Sequence, residues 1–125
     1  MDDKIAAPDR DELRELLLAW RRGDLTFYEV ADEAEAIEGR TWQNVDVIEF
    51  ASDDPRRIPT EVVSLLSMGH VAPLFVEDIP HLLRCLDAPT GREEEYIVEL
   101  SRQLDKWSEP ERSDLAEKRY RTLAG

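Results

Sequence analysis

The chain has 125 residues, of which 29 are acidic and 16 basic, for a formal net charge of −13. Its length suits one domain that buries about two thirds of its unfolded surface. The charge argues against direct binding to nucleic acid, because a polyanion is repelled and no arginine- or lysine-rich stripe offsets the acidity. A single cysteine, Cys85, excludes an intrachain disulfide and leaves no CxxC pair or cysteine cluster for redox or zinc chemistry. With no basic-then-apolar leader and no apolar run of roughly 18 residues, the expectation is a cytoplasmic protein without membrane contact.

Helix-start signals punctuate the sequence. Asp9 with Glu12, Thr26 with Glu29, Thr90 with Glu93, and Ser108 with Glu111 each place a small polar residue three positions before a glutamate. In a capping box the polar side chain accepts a free amide at the helix start and the glutamate reaches back to the cap's own amide. Residues 1–8 are expected to be a flexible segment ending at Pro8. A first helix follows, with Leu13, Leu16, Leu17 and Trp20 on one face and a stop at Gly23. Thr26 caps a second helix whose apolar stripe is Phe27, Val30, Ala31, Ala34 and Ile37, so the two predict an antiparallel hairpin.

From Gly39 to Pro59 the periodicity weakens. Trp42, Val45, Ile48 and Phe50 suit a short helix or, with Val47, a strand; the helix is favoured because no partner strand is legible elsewhere. The stretch SDDPRRIP reads as a loop. Val62, Leu65 and Leu66 mark a helix ending near Gly69, and Ile79, Leu82, Leu83 and Leu86 mark another with Pro80 in its first turn. Thr90 is expected to cap a helix carrying Ile97, Leu100, Leu104 and Trp107. Ser108 is expected to cap the last, carrying Leu115, Ala116, Tyr120 and Leu123. The fold class is therefore all-α: a single compact irregular bundle of six or seven short helices over residues 9–125.

The chemistry is sparse. Glu77, Asp78 and His81 share a helical face, but a carboxylate-bundle metal centre needs the acid-to-histidine motif twice and glutamates from two further helices. No metal or cofactor is assigned on that ground. His70 is expected to cap the last carbonyls of its helix or face water, and Cys85, among leucines, reads as a buried hydrophobe. No GxSxG elbow or phosphate-cradling glycine loop is present, and a non-enzymatic role is expected.

The most suggestive surface is the second helix, where Glu29, Asp32, Glu33 and Glu35 are read opposite its apolar stripe. Residues 1–39 hold twelve acids and five bases, a net −7. Such a face suits a basic protein partner, with Asp53 and Asp54 of the SDDP loop as a possible extension and Trp42 as an aromatic anchor. The segment LRELLLAWRRGDLTFYEVADEAEAI resembles the opening hairpin of small all-helical bacterial toxin-immunity proteins of the colicin D immunity type. The resemblance covers the first third of the chain. It implies an acidic inhibitor that binds a basic nuclease toxin and covers its active site. Two alternatives are a helical adaptor that binds an apolar partner surface and a carboxylate-bundle metalloprotein. Oligomeric state is left open by the sequence.

Overall fold

The computed structural model describes residues 7–41, 54–70 and 72–124. Within them the chain forms six α-helices and no strand: α1 (Arg10–Arg22), α2 (Phe27–Thr41), α3 (Arg57–Ser67), α4 (Ile79–Leu86), α5 (Glu93–Leu104) and α6 (Glu109–Ala124). Single 3-10 turns at Met68–His70 and Val76–Asp78 follow α3 and lead into α4. None of the described helices is long and apolar enough to cross a membrane. The Trp42–Phe50 segment, expected as a short helix, lies outside the described residues, as do residues 1–6 of the expected flexible segment and the Leu123 side chain. Pro8, by contrast, is buried, so the end of that segment packs against the bundle.

The capping signals are realised to different degrees. Thr26 and Glu29 form the complete box: the Glu29 amide donates to the Thr26 hydroxyl at 3.2 Å, and the Thr26 amide donates to Glu29 Oε1 at 2.8 Å. Asp9 accepts the Asp11 amide at 2.9 Å, while Glu12 turns to Arg40 of α2 instead. Ser108 accepts the Glu111 amide at 3.2 Å. Thr90 caps nothing. The turn Pro89–Arg92 carries Gly91 at φ 95°, so α5 starts only at Glu93, whose fully buried carboxylate accepts the Gly91 amide at 2.9 Å. Pro59, placed in a loop by the sequence, lies instead in the first turn of α3 and is buried, where its missing amide leaves no helical bond unmade.

α1 and α2 form the expected antiparallel hairpin. Gly23, at φ 87°, closes α1 by donating its amide to the Trp20 carbonyl at 3.0 Å, and the Arg40–Glu12 pair ties the last turn of α2 to the first of α1. The broadest contact in the bundle is between α2 and α3. Leucines 13, 16 and 17, Ile37, Ile58, Val62, Leu66, Ile79, Leu82 and Leu86 fill a continuous core. At one end of it Phe27, Phe75 and Tyr120 stack with ring centroids 5.1 and 5.7 Å apart. Arg10 joins distant segments: Nη1 donates to the Leu86 and Ala88 carbonyls, each at 2.9 Å, and Nη2 to the Pro55 carbonyl at 3.2 Å.

Candidate functional site

The helical repeat sorts the side chains of α2 into three stripes. Phe27, Val30, Ala31, Ala34 and Ile37 face the core. Tyr28, Asp32 and Glu35, at spacings of four and three, line one flank. Glu29 and Glu33, one turn apart, point outward. All four of the acidic residues named from the sequence are exposed, and they divide between the outer face and this flank.

What the flank meets was not legible in the sequence. The 3-10 turn after α3 carries His70 to it, and His70 Nε2 lies 2.9 Å from Asp32 Oδ1. The imidazole stacks on the Tyr28 ring, with centroids 5.2 Å apart and planes 7° from parallel. The turn comes this close because residue 69 is glycine: a Cβ there would stand 2.5 Å from Phe27 Cζ and 3.2 Å from Ala31 Cβ. His70 thus pairs with α2 rather than capping its own helix. Glu35 joins the group, so that one ligand atom from each of Asp32, Glu35 and His70 lies within 4.8 Å of the others.

Charge is distributed unevenly over the molecule. Elsewhere many acids meet arginines: Asp11 and Asp87 flank Arg14, Glu94 pairs with Arg57, Glu95 with Arg92, Glu99 with Arg102 and Glu77 with Arg119. Among the described residues, no lysine or arginine reaches ion-pair distance of Glu29, Asp32, Glu33, Glu35 or Glu38. Among the described residues, His70 is thus the one basic side chain that meets the acidic face of α2.

The remaining candidates are placed differently. Asp54 is clasped by Arg56, whose side chain and backbone amide donate to it and hold its carboxyl below the usual carboxylate range. It stands beyond the start of α3, whereas His70 follows its end. Asp53 and Trp42 lie outside the described residues.

Among the described residues, Glu77, Asp78 and His81 do not converge as a metal-ligand group. Glu77 is taken by Arg119 through two contacts of 2.7 Å, and Asp78 is buried against Arg112. His81 instead borders a cleft of about 250 Å³ with Arg84, Cys85, Tyr96, Glu99 and Gln103. Burial pushes the Cys85 thiol in that cleft up to about 11, which keeps it protonated. An apolar concavity of about 490 Å³ opens on another side, lined by Trp20, Leu25, Phe27, Val76 and Tyr120. No protein-family model matches the chain, and comparisons with curated proteins and with solved structures find no match.

Proposed function

We propose that this chain is a protein-binding protein that docks through the acidic face of α2 onto a basic protein. A toxin-immunity protein that neutralises a basic nuclease is the specific form of this reading. The observation that carries it is the charge of that face. Many acids elsewhere on the described surface are answered by an arginine of the same molecule, while Glu29, Asp32, Glu33, Glu35 and Glu38 of α2 meet no lysine or arginine among the described residues. A single-signed face of this kind speeds encounter with an opposite field and favours pairing with lysine or arginine at the interface.

Asp32→Lys with Glu33→Lys tests the reading. Neither residue contributes to the core, so helix content is expected to hold. Association with a basic protein captured by the wild-type chain is expected to slow by about tenfold or more at low salt, with the difference shrinking as ionic strength rises. Equal capture by both chains, at every salt concentration, would remove the α2 face from the account.

The apolar concavity beside Val76, which is 50% exposed, supports a second reading, a helical adaptor that seats an apolar side chain of its partner. Binding of that kind resists salt and is lost on Val76→Asp.

A further inference from the structure

The convergence of Asp32, Glu35 and His70 is built by features that do not depend on the contact between them. Asp32 and Glu35 share the flank of α2 because three residues separate them. His70 is delivered by the turn that Gly69 lets press against Phe27 and Ala31, and its ring plane is set by stacking on Tyr28. The imidazole is thus oriented through its face while its Nε2 edge meets Asp32. Two carboxylates drawn to one point repel each other, and among the described residues no lysine or arginine approaches either. The group is one divalent cation short of neutrality.

We infer that Asp32, Glu35 and His70 form a binding site for a divalent transition-metal ion of the zinc type, with Tyr28 as a positioning residue. Zinc takes imidazole nitrogen and carboxylate oxygen at about 2.0–2.2 Å, which places ligand atoms about 3.5 Å apart around a tetrahedral ion. Separations already within 4.8 Å close to that figure by small rotations of exposed side chains. The ion takes the place of the proton between His70 Nε2 and Asp32 Oδ1, the ring carrying its proton on Nδ1 instead, and water completes its shell. An imidazole in the ligand set selects against calcium and magnesium, which prefer oxygen donors alone. Glu29, Glu33 and Glu38 add a negative field that raises the local cation concentration. This inference stands without any protein partner, since the ion is the ligand.

The test is a calorimetric titration of zinc chloride into the untagged full chain, alongside the ring-nitrogen NMR signals of both histidines. One zinc per chain is expected to bind with micromolar affinity and to shift the His70 ring signals. His70→Ala and Glu35→Gln are each expected to weaken binding at least about tenfold, and Tyr28→Ala also weakens it while Tyr28→Phe restores it. His81→Ala is expected to bind as the wild type does, and magnesium not to compete. Should a variant lose helix content, the ring signals of the wild-type chain decide alone. Absence of saturable binding, an unshifted His70 ring, or a folded His70→Ala chain that binds like the wild type would each overturn the assignment.

Discussion

Arg112 of α6 holds Asp78 in a two-point clasp 34 residues back in the chain, Nη1 to Oδ2 at 2.8 Å and Nη2 to Oδ1 at 3.2 Å. The pair is buried on both sides, with side chains 9% and 6% exposed. Its surplus hydrogen-bonding capacity is used. Asp78 also accepts the Phe75 amide at 2.8 Å, and Arg112 also donates to the Leu104 carbonyl at 2.9 Å and to the Pro73 carbonyl at 3.3 Å. One ion pair thus fixes the start of α4, the end of α5 and the first turns of α6. Removing one partner strands the other's charge, so Arg112→Ala is expected to cost about 3–5 kcal/mol. Urea unfolding measures it. Asp78→Asn combined with Arg112→Met is expected to cost less than the sum of the two single changes, because no bare charge remains buried.

Gly69 carries no positive φ, and its role is one of distance alone. The added methyl of Gly69→Ala meets Phe27 at 2.5 Å, a ring packed against Trp20, Tyr28 and Tyr120. A loss of about 1–3 kcal/mol is expected, readable as a lower Tm. The shift of the turn also separates His70 from Tyr28, so the His70 ring signals move even without metal.

Tyr120 gives the fold an alkaline limit. Its hydroxyl donates to the Leu74 carbonyl, and burial, foremost, raises its pKa well above the ordinary 10.0; nearby Asp78, Tyr28 and Glu77 add to the rise, while Arg119 opposes it. A group whose folded pKa is raised contributes stability that is complete below its unfolded pKa and lost as pH rises toward the folded one. Stability of the wild-type chain is therefore expected to fall as pH climbs past about 10. Tyr120→Phe starts about 1–3 kcal/mol lower, since the Leu74 carbonyl loses its partner, and then declines less. Unfolding free energies of the two chains across alkaline pH measure the difference.

Cys85 is 1% exposed, and its thiol is pushed up to about 11 by burial first and by Glu61 second. Both effects starve it of thiolate. Labelling with a maleimide at pH 8 is expected to be at least about a hundredfold slower in the native chain than in urea. Equal rates would mean that the cleft beside His81 opens to reagent.

Local signals carried the architecture. The Thr26 and Glu29 box, the Leu13 to Trp20 stripe and the Gly23 stop were readable because each depends on residues within one or two turns of each other. Thr90 misled because its spacing to Glu93 is right, yet Gly91 takes the left-handed turn and Glu93 turns inward. The pairing that shapes the candidate site, Asp32 with His70, spans 38 residues, and the structural clasp of Asp78 with Arg112 spans 34. No periodicity encodes such distances, which is why the acidic residues of α2 were visible in the sequence and the histidine that faces two of them was not.

The reach of Arg10 bears on how the chain matures at the ribosome. Its acceptors Leu86 and Ala88 lie 76 and 78 residues downstream. The anchoring of α1 therefore waits on residues made much later. Until α4 has left the exit tunnel, the opening hairpin carries its apolar stripe and its acidic face without this tie.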